Sequence, residues 1–162
     1  MFKMPTKYKS ILGAKETEHA IVAIKDFFQL TLSTELNLTR VTAPLFVRSG
    51  MGINDDLSGV EKPVSFAVRD MGGVQMEIVQ SLAKWKRLKV TEMGLNPGFG
   101  IYTDMNALRP DEELDALHSI YVDQWDWEYI IKKEERTLEV LKQFVNKIYG
   151  VLLKTEAFIH SE

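Results

Sequence analysis

The sequence predicts an α+β fold, an antiparallel sheet flanked by helices. Two long segments with apolar residues at helical spacing lie near its two ends, and two strand–turn–strand patterns lie between them. With 162 residues and no internal repeats, low-complexity tracts or obvious linkers, the chain is expected to form a single domain, residues 1–162, with its own core.

Residues 1–13 are mixed in character and read as an arm or a short lead-in helix. Over residues 14–36, Ile21, Ile24, Phe28 and Leu32 fall near helical spacing, with Lys15, Glu18 and Lys25 off that stripe, which predicts a long amphipathic helix. Asn37 is its expected terminator, because asparagine tolerates the left-handed conformation. Leu38, Val41, Pro44, Leu45 and Phe46 describe an extended segment whose proline favours an edge or an interface. Residues 49–62 are rich in Gly, Asn, Asp and Ser and predict a loop. Residues 63–69 and 74–79 alternate, with Val64, Phe66, Val68, Met76 and Ile78 expected to face inward, and residues 70–73 join them as a turn. Residues 80–89 predict a helix with Ser81 as candidate cap. After the Asn96-Pro97-Gly98 turn comes the second hairpin, residues 101–109 and 119–127, interrupted by Pro110 and a polar loop over 111–118. Leu138, Leu141, Val145, Ile148 and Leu152 mark a second long helix over about residues 134–158.

Composition excludes several functions. The net charge of -3 gives no global attraction to nucleic acid or to anionic membrane. The chain has no cysteine, which rules out disulfides, thiolate metal sites and a cysteine-dependent glutamine amidotransferase. No apolar run approaches the roughly 20 residues of a membrane span, and the expected setting is soluble and cytoplasmic. His19, His118 and His160 are too scattered for a local zinc motif, and Asn54-Asp55-Asp56 lacks the ligand spacing of a calcium loop. Gly50, Gly52 and Gly59 do not follow a strand at phosphate-loop spacing. The basic cluster Lys84, Lys86, Arg87 and Lys89 is compatible with a solvated helix face or with a pocket wall.

The second hairpin is the most informative stretch. By period two, Ile101, Thr103, Met105, Ala107 and Arg109 share one face of its first strand, and Val122, Gln124 and Asp126 share one face of its second. An arginine beside an amide and a carboxylate is costly to bury without partners, and a polar ligand can supply them. From the residues alone this is a small-anion-binding α+β domain.

Three motifs carry a more specific resemblance: Leu-Ala-Lys-Trp-Lys-Arg at 82–87, Ala-Leu-Arg-Pro-Asp-Glu at 107–112, and His-Ser-Ile-Tyr-Val-Asp-Gln-Trp-Asp-Trp-Glu at 118–128. Together with Asp-Asp-Leu-Ser-Gly-Val-Glu-Lys at 55–62, they resemble ammonia-dependent asparagine synthetase (aspartate–ammonia ligase). The likeness runs from about Lys15 to the C-terminus. It implies part of the catalytic fold of class II aminoacyl-tRNA synthetases. The segment Leu38 to Phe46 is similar to class II motif 1, which implies a homodimer through residues 14–46. The second hairpin resembles motif 2, whose arginine, here Arg109, holds the α-phosphate of ATP; His118 and Ser119 are assigned to ATP with it. Gln80, Ser81 and Lys86 are spaced like the element that holds the amino acid, with Lys86 facing a carboxylate of L-aspartate, and Asp55, Gln124 and Asp126 match positions around that substrate. Arg109 and Lys86 are the expected catalytic residues.

The implied reaction has two steps: L-aspartate and Mg-ATP give β-aspartyl-adenylate and pyrophosphate, then ammonia gives asparagine and AMP. ATP with magnesium is the expected substrate complex, with no tightly bound cofactor and neither nucleic acid nor membrane as a partner. Family members are roughly twice as long. The chain lacks the glycine-rich motif 3, its second ATP-binding arginine and the acidic residues expected to hold magnesium. It therefore reads as the N-terminal half of such a catalytic domain, expected to bind ATP poorly and to make little or no asparagine alone. The alternative is a non-catalytic dimerising or regulatory fragment of a synthetase-like protein.

Overall fold

The computed structural model describes residue 7, residues 9–55 and residues 57–162. Its elements follow the order α1 (Ala14–Glu35), β1 (Leu38–Arg40), β2 (Phe46–Arg48), β3 (Ser65–Val68), β4 (Val74–Ile78), α2 (Ala83–Glu92), β5 (Gly100–Leu108), β6 (Tyr121–Tyr129) and α3 (Leu138–Ser161). Two three-stranded sheets are formed, in the orders β1-β5-β6 and β2-β4-β3. The chain divides into two compact units: Arg40–Gly94 with Ile101–Glu128, and Lys7–Thr39 with Leu95–Gly100 and Tyr129–Glu162.

The second of these units is built on the two long helices. Helix α1 starts at the predicted residue and closes with the Leu36 N–H donating to the Leu32 carbonyl at 3.0 Å. Asn37 then takes φ 50°, the left-handed turn expected of it. The rings of Phe27 and Phe158 stack at 4.3 Å, and Lys154 reaches the Glu35 carboxylate at 3.6 Å, which joins α1 to α3. Helix α3 begins later than predicted because residues 133–135 form a 3-10 turn, after which the Thr137 hydroxyl caps the helix by accepting from the Val140 N–H. Of the arm or lead-in helix expected over 1–13, residues 1–6 and 8 lie outside the described residues, and residues 9–13 are not helical.

The first unit holds every candidate site residue. Strands β3 and β4 form the predicted hairpin, with Phe66 opposite Met76 and Val68 opposite Val74. Its turn needs two successive left-handed residues, and Gly72 (φ 67°) and Gly73 (φ 82°) supply them without steric cost. The expected inward face of β3 is a correction: Val64 and Phe66 remain exposed, Phe66 packing edge-on against Phe46 instead. A core cluster of this unit forms from Val47, Val79, Leu82, Met105 and Ala107, with Ala43, Ile53, Trp85 and Val122 packed against it. Burying a side chain such as Leu82 fully contributes about 1.5–3 kcal/mol before entropy.

Strands β5 and β6 carry the motifs. Ile130 N–H donates to Phe99 O at one end, and Arg109 N–H to Ile120 O at the other. Both bonds fit one antiparallel register, which sets Thr103 opposite Asp126, Met105 opposite Gln124 and Ala107 opposite Val122. Opposed residues share a face, so Gln124, Asp126 and Arg109 lie on the face that carries buried Thr103, Met105 and Ala107. The predicted alternation holds, although the strands end one residue earlier and begin two residues later than expected.

Candidate functional site

Helix α2 is laid against the β5–β6 face through Leu82 and Trp85 of the core. The next turn places Lys86 on that face, and its side chain is wholly buried. Its ammonium forms an ion pair with the Asp126 carboxylate, whose side chain keeps 25% exposure. The hydroxyl of buried Thr103 donates to the Asp126 carbonyl at 3.2 Å, which pins the strand where the pair forms. Lys86 is therefore not part of a solvated helix face. The neighbouring basic residues Lys84 and Arg87 are exposed.

Gln80 lies just before α2 and is 1% exposed. Its N–H donates to the Asn54 side-chain oxygen at 2.9 Å, while its side-chain Nε2 is buried without a hydrogen-bond partner. A buried donor left unpaired costs about 1–3 kcal/mol. The predicted helix over 80–89 is shifted to Ala83–Glu92, and Ser81 does not cap it. The reason lies in the backbone: Val79 donates to Leu45 O and accepts from Leu108 N–H, while Gln80 is held by Asn54, so the chain stays extended past β4.

The cap comes from elsewhere. Asp55 accepts from the Ala83 N–H at 2.7 Å, and Lys84 stands 3.9 Å from its other oxygen. A carboxylate at this point satisfies a free helix N–H and meets the positive end of the helix dipole. Asp55, Leu57, Ser58, Gly59, Ser81, Ala83 and Lys84 line an open cleft there. Asn54 anchors the loop below the cleft. It is buried, accepts from Gln80 N–H, and donates to Ile78 O at 3.2 Å and to Glu77 at 3.4 Å. Glu77 also accepts from the Ser49 hydroxyl. Farther along the loop, Glu61 accepts from the Ser58 hydroxyl (2.6 Å), the Ser58 N–H (3.0 Å) and the Val60 N–H (3.3 Å), and these bonds, the Ser58 hydroxyl first, hold its carboxyl below the usual range.

Arg109 closes the β5–β6 hairpin, and its Nε is buried with no hydrogen-bond partner among the described residues. His118 and Ser119 sit on the exposed loop beyond it. His118 Nδ1 lies 2.9 Å from Asp115, and the Ser119 hydroxyl accepts from Tyr121 N–H at 3.3 Å. Asp115 also accepts from the N–H groups of Leu117 (2.7 Å) and His118 (2.8 Å). These bonds, that of the Leu117 N–H first, lower the Asp115 carboxyl, and the Asp115 hydrogen bond raises the His118 imidazole. Asp111 ties the two loops by accepting from Lys62 N–H at 2.8 Å.

The structure thus joins Lys86 with Asp126, sets Gln80 and Asp55 at the entrance to α2, and places Gln124 and Arg109 on the same face of the hairpin. His118 and Ser119 are held by their own loop. Sequence reasoning missed Asn54, Thr103, Asp111 and Asp115. Asn54 was legible only as part of a failed cation motif, because a single asparagine does not disclose that its partners lie 23 to 26 residues away.

Comparison with known proteins follows the same residues. The model of the family described as aspartate-ammonia ligase matches residues 15–162. The aspartate–ammonia ligase of Bacteroides thetaiotaomicron is 59% identical over 156 residues, covering 96% of this chain and 45% of that protein. The enzyme of that name from Clostridium perfringens is 58% identical over 156 residues, covering 96% and 46%. The chain therefore spans somewhat under half the length of these relatives. Among solved structures, a pyrrolysyl tRNA synthetase from Desulfitobacterium hafniense superposes with a TM-score of 0.57 at 14% identity, over 88% of this chain and 48% of that one. That likeness shows the fold alone, an α+β architecture shared with part of that synthetase.

Proposed function

Since the chain belongs to the aspartate–ammonia ligase family, we propose that it supplies the aspartate-holding and α-phosphate-holding parts of a site that makes L-asparagine from L-aspartate, ATP and ammonia. The observation that carries this reading is the buried Lys86–Asp126 pair, set on the hairpin face shared with Arg109. Aspartate carries groups complementary to these: carboxylates for Lys86 and the Gln80 donor, and an ammonium for the acids.

In the first step the β-carboxylate oxygen attacks the α-phosphorus of ATP and pyrophosphate leaves, forming β-aspartyl-adenylate. Arg109 neutralises the charge that builds on the α-phosphate oxygens, and its planar fork can bind two of them. Lys86 holds a carboxylate and reduces repulsion between two anions. In the second step ammonia attacks the activated acyl carbon, loses a proton, and AMP leaves. Asp55, Gln80, Ser81, Gln124 and Asp126 select and orient the amino acid, and His118 and Ser119 face the nucleotide from the loop. Magnesium is expected to travel with ATP. Among the described residues no group of three or more His, Cys, Asp or Glu gathers to hold a metal ion, so none is assigned to it and no step is routed through it. The exposed apolar residues Ile21, Val22 and Leu30 of α1, and Leu45 and Phe46 before and in β2, support a homodimer through residues 14–46.

A chimera tests the proposal. Placing this chain in the matching segment of the Bacteroides thetaiotaomicron relative should give a protein that releases AMP only with aspartate and ammonium present. Arg109→Ala in that chimera should lose about 2–4 kcal/mol of transition-state stabilisation, roughly 30- to 1000-fold in kcat/KM. A folded chimera without aspartate-dependent AMP release would refute the reading.

A further inference from the structure

The loop over 57–62 is tied at its far end by a side chain from a distant part of the sequence. The Asp111 carboxylate accepts from the Lys62 N–H at 2.8 Å, across 49 residues. Inside the loop, the Ser58 hydroxyl and the N–H groups of Ser58 and Val60 all donate to Glu61. Those bonds shape the loop but do not fasten it to the hairpin. Leu57 takes φ 49°, a left-handed conformation that a residue with a bulky side chain rarely adopts. Leu57, Ser58 and Gly59 line the open cleft together with Asp55 and with Ser81, Ala83 and Lys84 at the start of α2.

The anchor is better fixed than the loop it holds. Residues 109–112 form a turn closed by the Glu112 N–H donating to the Arg109 carbonyl at 3.1 Å, and the Arg109 N–H is bound to Ile120 O at 2.8 Å. Pro110 occupies the second position of that turn, where its ring presets the backbone. The arginine turn therefore keeps its shape without Lys62, whereas the loop loses its bond to the hairpin without Asp111. Resting on the aspartate reading above, we propose that Asp111 is a positioning residue for the amino acid. From the turn that carries the α-phosphate arginine, it holds the 57–62 wall of the aspartate cleft in register with that arginine. Its removal thus weakens aspartate and spares the nucleotide.

Two measurements test the proposal. Asp111 is exposed, so its replacement leaves the core untouched, and asparagine retains a side-chain oxygen able to accept from Lys62 where alanine does not. In the 162-residue chain, exchange of the Lys62 amide followed by NMR should quicken by about threefold to tenfold in Asp111→Ala. It should stay near the wild-type rate in Asp111→Asn, with amide exchange over β5 unchanged in both. In the chimera with the Bacteroides thetaiotaomicron relative, Asp111→Ala should raise KM for aspartate by about threefold to tenfold, with kcat and KM for ATP within about twofold of the parent. Asp111→Asn should restore the parent KM, a rescue that a general loss of structure would not show. A rise in KM for ATP instead of that for aspartate would overturn the proposal, because Asp111 would then be a nucleotide contact. So would an unchanged KM for aspartate, or a Lys62 amide indifferent to Asp111→Ala. A folded parent chimera without aspartate-dependent AMP release refutes the aspartate reading and the substrate role of Asp111 with it, while the exchange rates still decide whether Asp111 holds the loop.

Discussion

At the scale of single residues, Asn54 shows how much one amide can set. Its oxygen accepts from Gln80 N–H and its nitrogen donates to Ile78 O and Glu77, so both ends of its side chain are used inside the protein. Asn54→Ala leaves these groups buried without partners and should lower stability by about 1–3 kcal/mol in a denaturant titration. Asn54→Asp keeps the acceptor for Gln80 but loses the donor and adds a second carboxylate beside Glu77, so it should also be destabilising at neutral pH and recover as pH falls. Lys86 is the opposite case, a basic residue that the structure buries and does not leave on a solvated helix face. The pairing with Asp126, 40 residues away, was not legible from spacing, since only the β5–β6 register and the seat of α2 bring the two together.

At the scale of elements, the start of α2 and the loop after β5 behave differently from their sequence signatures. Ser81 had the chemistry of a cap, yet the tertiary hold on Val79 and Gln80 delays the helix until Asp55 can cap it through Ala83. Asp55→Ala should lower stability by about 1 kcal/mol, and Asp55→Asn by less, as thermal melts would show. In the loop over 109–120, the Asp115–His118 pair sets a pH window. Asp115 is held below its ordinary value of 3.8, so its contribution is present above that value and is lost as pH falls through the folded value. His118 is raised above its ordinary 6.5, so its contribution is complete below 6.5 and is lost as pH rises through the folded value. Protection of the Leu117 and His118 amides against exchange should therefore be greatest between about pH 4 and 6.5, and should decline above it. A His118→Gln variant should remove the alkaline decline and keep the acid one. The long helices were the most legible elements, because a period sustained over six turns outweighs local exceptions. The short strand β3 was the least, its apolar residues being exposed where alternation placed them inward.

At the scale of the molecule, binary patterning was sufficient for the α+β class, two hairpins and two long helices in the right order. It was insufficient for the division into two compact units, which depends on which distant segments touch. None of the helices among the described residues is long and apolar enough to cross a membrane. The site residues drawn from three motifs all fall in the unit formed by Arg40–Gly94 and Ile101–Glu128, and those motifs are separated in sequence by strands and loops that carry little chemistry of their own. The central claim is that this unit holds L-aspartate through Lys86. Isothermal titration of L-aspartate into the chain and into its Lys86→Met variant tests it most directly, with amide exchange over β5 confirming that both are folded. The account predicts saturable binding to the wild type, weakened by about tenfold or more in Lys86→Met, the loss of a buried charge-assisted contact. Aspartate binding that is unchanged by Lys86→Met, or absent from the folded wild type, would contradict it.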